Sequence, residues 1–212
     1  ASTVSGRYRN YSTNGELSEI NYTANFDAAG GSFKYSYDKT CNVWLGKTMT
    51  TVNLPTKEGF KFKGYYTSSG GGGTQYYNEN GVATRKYDVI GNINLYAQWE
   101  ALNYTITVMA NEGTIPATSG WSGSGASAYK SVTFNTNYGT LPTPTRLGYN
   151  FTGWYTASTS GSKVEATTKM TTAKSHNLYA QWDPYEYRVK FNYSGGTLDG
   201  STSRGEDLKY KQ

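Results

Sequence analysis

Few side chains in this 212-residue sequence could perform covalent or acid–base chemistry, and they are scattered along it. The one histidine, His176, opens an alternating segment, and no G-x-S-x-G nucleophile motif occurs. A catalytic histidine needs a nucleophile and an orienting acid, so we interpret His176 as structural. The one cysteine, Cys41, can form neither an intramolecular disulfide nor a cysteine-based zinc site. We interpret it as a small buried residue, with an intermolecular disulfide as the alternative.

The glycine-rich and acidic segments contain no ligand-binding motif. No Gly-Lys-Ser/Thr follows Gly70–Gly73, so this run predicts a flexible strand connection rather than a phosphate loop. The acidic residues form no D-x-[DN]-x-[DN]-G run of a calcium loop. We therefore expect no cofactor, no metal site and no enzymatic activity. Two carboxylates that converge in space for glycoside cleavage are the one alternative that this pattern leaves open.

Composition narrows the class of protein further. The formal net charge is +5, but the 20 basic residues are dispersed, so we expect no nucleic-acid partner. No segment approaches the roughly 18 apolar residues of a membrane helix, and we expect no membrane insertion. The first residues lack the apolar stretch of a signal peptide, so we expect any such segment to have been removed or left off. Aromatic residues make up 16% of the chain, which favours an ordered, aromatic-cored protein over a disordered one.

Three blocks of sequence recur in the same order along the chain. Asn94–Trp99 reads N-L-Y-A-Q-W and recurs unchanged as Asn177–Trp182, while Gly59–Thr67 matches Gly148–Thr156. An opening block that leads to a glycine occurs three times, starting at Tyr22, Tyr104 and Tyr187. These blocks divide the chain into an N-terminal segment that could supply a pairing strand, two complete units and an incomplete third: residues 1–20, 21–100, 101–183 and 184–212.

Apolar and polar residues alternate within each block, which is typical of strands with one buried and one solvated face. We expect a mostly β protein, α+β at most, with antiparallel or mixed sheets and at most short helical turns before Leu54 and Leu141. Gly30-Gly31 predicts a tight turn after the opening strand, and the short linkers predict units arranged end to end. The predicted cores are Phe26, Phe60, Phe62, Tyr65, Tyr96 and Trp99 in unit one, and Val108, Phe134, Phe151, Trp154, Tyr179 and Trp182 in unit two.

The recurring blocks resemble the Listeria–Bacteroides repeat, the B-repeat type of internalin-like bacterial surface proteins. The resemblance is carried by Leu141–Arg146, Gly148–Thr156, the closing Asn177–Trp182 and the opening Phe26–Gly31. Unit one departs from the family pattern at Tyr65, where the family usually has tryptophan. The resemblance implies tandem small β-grasp-like domains, secretion, and a place in a long cell-surface protein as a stalk or adhesive module. It brings no catalytic residues.

Three functions remain as hypotheses. The first is an extracellular stalk or adhesive spacer of a bacterial surface protein. The second is a filament subunit assembled head-to-tail by strand complementation, because the incomplete third unit would leave an apolar edge open. The third is a carbohydrate- or receptor-binding module, with a glycan or host receptor as partner. The candidate self-assembly residues are Tyr187, Val189, Phe191, Tyr193, Leu198 and Leu208, with Tyr8 and Tyr11 in the N-terminal segment; the candidate aromatic contacts are Tyr35, Tyr37, Trp44, Tyr65, Tyr66, Tyr76, Tyr77 and Trp121.

Overall fold

The computed structural model describes residues 9–11, 17–201 and 203–210, with side chains from residue 19 onward. The chain divides into two compact units, Ala1–Leu102 and Asn103–Gln212. The regular secondary structure of their described parts consists of strands and a single 3₁₀ turn at Ser36–Lys39. The prediction of a mostly β protein with several mixed or antiparallel sheets in tandem is confirmed. The segments before Leu54 and Leu141, where at most short helical turns were expected, contain no helix.

Unit one holds a five-stranded mixed sheet and a separate two-stranded ribbon. Its strands are, in chain order, β1 (Arg9–Tyr11), β2 (Leu17–Glu19), β3 (Asn21–Asp27), β4 (Thr40–Trp44), β5 (Phe60–Tyr66), β6 (Gln75–Tyr77) and β7 (Ile93–Ala101). The order in the sheet is β4-β3-β7-β5-β6. The opening strand β3 runs parallel to the closing strand β7, and β7 pairs antiparallel with β5.

Unit two repeats this arrangement and adds a hairpin. Its strands are, in chain order, β8 (Asn103–Met109), β9 (Ser122–Ser124), β10 (Ser127–Thr133), β11 (Tyr149–Tyr155), β12 (Lys163–Val164), β13 (His176–Pro184), β14 (Glu186–Asn192) and β15 (Ser203–Lys209). The main sheet has the order β12-β11-β13-β8-β10-β9, again with opening strand β8 parallel to closing strand β13. Strands β14 and β15 pair with each other as a two-stranded sheet.

A β-bulge in β5 and in β11 changes which side chains enter the core. The register shifts between Phe62 and Gly64 in β5, and at the equivalent place in β11. Gly64 has a φ of 127°, a conformation that suits glycine. Strict alternation from Phe62 would bury Tyr66, whereas the extra residue turns Tyr65 inward instead. The same bulge buries Trp154 in unit two.

The two hydrophobic cores differ in chemistry. Unit one buries four tyrosines, Tyr65, Tyr76, Tyr77 and Tyr87, whereas the most buried large side chains of unit two include Ile106, Met170 and Leu178. The prediction of an aromatic core therefore describes unit one better than unit two. Seven of the predicted core residues are only half-buried: Phe60, Tyr96, Trp99, Phe134, Phe151, Tyr179 and Trp182. Tyr96 and Tyr179 were wrongly assigned to the core, because the period of two turns them away from the buried leucine that precedes each of them.

Equivalent core positions differ in how they satisfy their polar atoms. Trp154 donates from Nε1 to the carbonyl oxygen of Pro142 at 2.9 Å. The hydroxyl of Tyr65, its counterpart, is buried and has no hydrogen-bond partner among the described residues. Burial raises the pKa of this phenol well above its usual value. A buried polar group without a partner destabilises the fold by about 1–3 kcal/mol.

Tyr65→Phe is therefore expected to stabilise unit one by about 1 kcal/mol, because it removes the unpaired hydroxyl and keeps the ring. Chemical denaturation followed by the methyl NMR signals of Leu95, which is buried in this core, measures the change. Tyr77→Phe is the matched control, because the Tyr77 hydroxyl lies 3.6 Å from Cys41 Sγ. An equal gain from both variants would contradict the assignment of an unpaired hydroxyl to Tyr65 alone.

Candidate functional site

The histidine holds a loop against the start of β13. His176 Nε2 lies 2.7 Å from the Tyr138 hydroxyl, and Nδ1 lies 2.9 Å from the Lys174 carbonyl oxygen. Because a carbonyl only accepts, Nδ1 carries the proton and Nε2 accepts from the phenol. The ring of Tyr138 also meets the imidazole edge to face. Both nitrogens are therefore engaged in contacts that position backbone, and the structural interpretation of His176 fits this geometry.

The thiol of Cys41 faces the interior of unit one. It is half-buried and lies beside the Tyr77 hydroxyl, and burial raises its pKa. A raised pKa keeps the sulfur protonated and weakly nucleophilic. The equivalent position of unit two is Lys130, because Ala24 faces Cys41 across the ladder as Ile106 faces Lys130. Lys130 donates to the Thr140 carbonyl at 2.9 Å, so both residues connect a strand to neighbouring structure.

Several acidic side chains are engaged in turns and ion pairs. Asp38 accepts from the Tyr35 backbone N–H at 2.9 Å and from Asn53 at 2.8 Å. Glu79 pairs with Lys61 at 2.7 Å, and this contact lowers the Glu79 pKa. Among the described residues, no three His, Cys, Asp or Glu side chains lie close enough to hold a metal ion. The described part of the chain also contains no helix with the length and apolarity to cross a membrane.

Among the candidate aromatic contacts, Tyr35 and Tyr37 form a stacked pair that is exposed to solvent. Tyr35 and Tyr37 have exposed fractions of 42% and 66%, and their rings stack with centroids 5.0 Å apart and planes 12° apart. The ammonium of Lys34 lies 5.0 Å from the centre of the Tyr35 ring. The remaining candidate aromatics are less accessible: Tyr65, Tyr76 and Tyr77 are buried, and Trp44, Tyr66 and Trp121 are half-buried.

The hairpin of β14 and β15 has one charged face and one mixed face. On the charged face, Lys209 pairs with Glu186 at 3.1 Å. The mixed face carries an ion pair between Arg204 and Glu206 at 2.8 Å, together with the candidate self-assembly residues Tyr187, Val189, Phe191 and Leu208, all of which are exposed. Leu198 is exposed in the connecting loop and Tyr193 is half-buried in the turn. Tyr8 and the side chain of Tyr11 lie outside the described residues.

The hairpin is attached to the rest of unit two at its base. The Tyr185 backbone N–H donates to the Gly148 carbonyl oxygen at 2.8 Å, and the Tyr210 N–H donates to the Tyr185 carbonyl at 2.9 Å. The Tyr210 ring packs edge-on against Tyr149, with centroids 5.6 Å apart. Above this base, the apolar side chains of Tyr187, Val189 and Phe191 are exposed.

The tryptophan that ends each closing hexapeptide contacts the turn after the opening strand; we call this contact the tryptophan clasp. Trp99 Nε1 donates to the Ala28 carbonyl oxygen at 2.9 Å, and that carbonyl also accepts from the Gly31 N–H. A Cβ on Gly31 would lie 2.6 Å from Trp99 Cζ2. Glycine is therefore required where the indole covers the turn.

Unit two contains the same clasp. Trp182 Nε1 donates to the Ala110 carbonyl at 3.1 Å, and a Cβ on Gly113 would lie 2.3 Å from Trp182 Cζ2. The two identical hexapeptides thus occupy equivalent surroundings. The profile of the Listeria-Bacteroides repeat domain (List_Bact_rpt) matches residues 22–98 and 104–181. The chain belongs to the Listeria–Bacteroides repeat family.

Curated relatives of these repeats include proteins of two bacteria. The chain is 32% identical over 163 residues to internalin H of Listeria monocytogenes, an alignment that covers 76% of the chain and 25% of that relative. It is 29% identical over 189 residues to a putative membrane protein of Evansella cellulosilytica, covering 84% of the chain and 24% of the relative. A putative Gly-rich membrane protein of the same species is 28% identical over 189 residues, with 84% and 18% covered. The chain therefore spans about a quarter or less of the length of these relatives.

The sequence pattern of this chain indicated the parts of the clasp but not the contact between them. Its tryptophans and glycines stand in recurring blocks, but no local pattern joins residues as distant as Ala28 and Trp99. The joint recurrence of the Gly turn and the N-L-Y-A-Q-W block was the available signal.

Proposed function

We propose that the chain is a non-enzymatic extracellular module that serves as a stalk or adhesive spacer in a bacterial surface protein. The observation that carries this proposal is the tryptophan clasp in two copies, each closing a repeat with its own core. A spacer needs folding units that are stable without a ligand. The side chains that could take part in chemistry, His176 and Cys41, instead contact neighbouring parts of their own units. The names of the relatives, an internalin and two putative membrane proteins, support a position at the cell envelope.

Single-molecule pulling of the whole chain tests the spacer role. A repeat of roughly 80 residues spans about 270 Å when extended at about 3.4 Å per residue. We expect two unfolding events of about this length, one for each repeat. Unfolding of both repeats at negligible force would contradict a role in which the module bears tension.

A carbohydrate-binding role is the second candidate, and the stacked Tyr35–Tyr37 pair favours it. Exposed aromatic faces bind the apolar faces of sugar rings, and Asp38 holds this loop through its bond to the Tyr35 N–H. A glycan array with the labelled chain separates the two functions. For a spacer we expect no saturable binding. Saturable binding that Tyr37→Ser abolishes, and that the control Tyr129→Ser retains, would replace the spacer proposal; Tyr129 is likewise exposed.

A further inference from the structure

The turn after the opening strand carries a glutamate in unit two where unit one has a glycine. Glu112 has a φ of 72° and Gly30 has a φ of 82°. Each of them directly precedes the glycine that lies under the indole of its tryptophan clasp, Gly113 or Gly31. A side chain at such a φ strains the backbone, and glycine avoids this strain. Unit two therefore retains Glu112 at a cost in stability that unit one does not have.

A second exchange of this kind lies in the loop between β11 and β12. Ser160 has a φ of 63°, and the equivalent residue of unit one is Gly72, with a φ of 91°. The two loops are equivalent because the backbone N–H two residues further on donates to a threonine hydroxyl in each of them, that of Thr156 or Thr67. Strained residues cluster at sites that bind ligands. Ser160 and Asn111, the neighbour of the strained glutamate, line the same cavity.

This cavity has a volume of about 320 Å³, which lies within the range of small-ligand sites. Its lining combines polar loop residues with one guanidinium and one indole: Asn111, Arg146, Ser158, Thr159, Ser160, Gln181 and Trp182. All of these residues belong to unit two. In unit one the arginine is replaced by Lys57, whose ammonium donates to the Ala29 carbonyl oxygen at 3.0 Å. The corresponding surface of unit one therefore lacks the guanidinium.

Arg146 is held in a fixed position at the wall of this cavity. Only 13% of its side chain is exposed, and its guanidinium carbon lies 3.8 Å from the centre of the Tyr149 ring. Nη2 pairs with Glu112, and Nε is buried without a hydrogen-bond partner among the described residues. Glu112 thus compensates the charge of the guanidinium and fixes its orientation. The guanidinium still has N–H donors left for an acceptor on a ligand.

The two amide side chains of the cavity offer acceptors. Asn111 Nδ2 donates to the Ala180 carbonyl oxygen at 3.0 Å, and Gln181 Nε2 donates to the Ala157 carbonyl oxygen at 3.1 Å. Each nitrogen also donates to a carbonyl of the loop between β11 and β12. Because carbonyl groups only accept, these contacts assign the nitrogens to the protein. The amide oxygens are then the atoms that both side chains can offer to a ligand hydroxyl.

We infer that this cavity of unit two binds an uncharged, hydroxyl-rich ligand, namely a neutral sugar residue. A hydroxyl group donates and accepts at once, so it matches both the amide oxygens and the guanidinium of Arg146. The half-buried Trp182 indole adds an apolar surface for the C–H face of a sugar ring. Among the described residues that line the cavity, Arg146 alone is charged, and its pairing with Glu112 disfavours an anion.

Such a site goes beyond the spacer role, because it would make unit two adhesive in its own right. Its failure would leave the spacer proposal and the pulling experiment untouched. The site is also separate from the stacked tyrosines of unit one. On the glycan array, binding at this cavity should survive Tyr37→Ser, whereas binding at the stacked tyrosines should not.

Titration of the full chain with neutral methyl glycosides, followed by proton–nitrogen correlation NMR, tests the inference. The probes are the methyl glycosides of glucose, galactose, mannose and N-acetylglucosamine. We expect at least one of them to cause saturable shifts of the Asn111 and Gln181 side-chain amides and of the Trp182 indole N–H. The Trp99 indole of unit one is the internal control and should not shift. The absence of saturable shifts with every neutral glycoside at tens of millimolar would overturn the inference.

The charge of the ligand is tested with methyl glucuronide and acetate. Both carry a carboxylate, which a guanidinium binds when no other acid compensates its charge. We expect them to bind more weakly than the best neutral glycoside, because Glu112 already pairs with Arg146. Saturable binding of the two anions alone would overturn the assignment of a neutral ligand.

Variants of the chain place the glycoside at this cavity. Arg146→Lys introduces the residue of unit one and should weaken binding about tenfold, the effect of losing one hydrogen bond from a charged group. Tyr129→Ser is the control, because Tyr129 is exposed on β10 and does not line the cavity. It should change the affinity by less than about twofold. Equal affinities of the wild-type and Arg146→Lys chains would overturn the inference.

Glu112→Gly separates a role in binding from a role in folding. It removes the strained φ, so the Tm of unit two, followed by the methyl signals of Leu178, should stay the same or rise. Glycoside binding should nevertheless weaken, because the guanidinium is no longer held in place. A lower Tm with unchanged affinity would show that the glutamate serves the fold alone and would overturn the inference.

Discussion

Replacing Gly113 with alanine is expected to destabilise unit two by about 2–4 kcal/mol. The new methyl group would lie 2.3 Å from Trp182 Cζ2 and 2.9 Å from the backbone oxygen of Thr145, so the indole has to move. Overpacking costs about 1–3 kcal/mol, and loss of the Trp182 bond to the Ala110 carbonyl adds about 1 kcal/mol. For a domain of this size, Tm should fall by about 10–20 °C.

Gly196→Ala is the matched control for this prediction. Both glycines stand at the same place in the same turn, but only Gly113 lies under an indole. We expect Gly196→Ala to change the Tm of unit two by less than about 3 °C. Thermal unfolding followed by the methyl signals of Leu178, which is fully buried in this core, measures both variants. Equal effects would mean that alanine disturbs the turn itself and that the clasp contributes nothing.

The alternation of apolar residues predicted the opening and closing strands well, because a strand with one buried face imposes a period of two on its own sequence. The hairpin strands were predicted at 187–193 and roughly 205–211 and are observed at Glu186–Asn192 and Ser203–Lys209. Shifts of this size are usual where strand ends depend on pairing rather than on local sequence.

The alternation of apolar residues did not predict the two β-bulges, and the reason is physical. A bulge adds one residue to one strand, so the side chains after it change faces although the sequence still alternates. The glycine inside each strand, Gly64 and Gly153, was the available signal, since both have φ values above 120°. The burial of tyrosines in unit one was not predicted for a different reason. Tyr87 is fully buried although it lies in a loop, and no short-range pattern predicts burial of a loop residue.

The repeats in the sequence were enough to predict the family and the architecture. They were not enough to predict which aromatic side chains are exposed at the surface. Tyr35 and Tyr37 stood in one set of candidates with the buried Tyr65 and Tyr77. Exposure depends on which residues from distant segments cover a ring, and composition carries no such information.

Unit one is expected to unfold at a lower alkaline pH than unit two, because it buries more tyrosine hydroxyls. Burial raises the pKa of Tyr76 to about 12 and raises those of Tyr65 and Tyr77 further. In the unfolded chain the same phenols ionise near pH 10. A pKa raised by folding gives stability that is complete below pH 10 and is lost as the pH rises towards the folded value. At pH 11 each tyrosine removes about 1 kcal/mol, and together they remove about 3–4 kcal/mol.

Cys41 adds to this loss in unit one, because its folded pKa is also raised and an unfolded thiol ionises near pH 8.5. In unit two, burial raises the pKa of Tyr138. Lys130 changes the stability of unit two in the opposite direction. Burial lowers the Lys130 pKa, so its unfavourable effect on stability fades as the pH rises. A pH series of methyl NMR spectra, with Leu95 and Leu178 as markers of the two cores, should show unit one unfolding first.

Tyr65→Phe is the variant that separates this cause from general alkaline damage. It removes one ionisable group without breaking a hydrogen bond, because the Tyr65 hydroxyl has no partner among the described residues. The loss of stability of unit one between pH 10 and pH 11 should therefore shrink by roughly 1 kcal/mol. A slope unchanged by the substitution, or earlier unfolding of unit two, would show that the buried phenols do not control the alkaline limit of this protein.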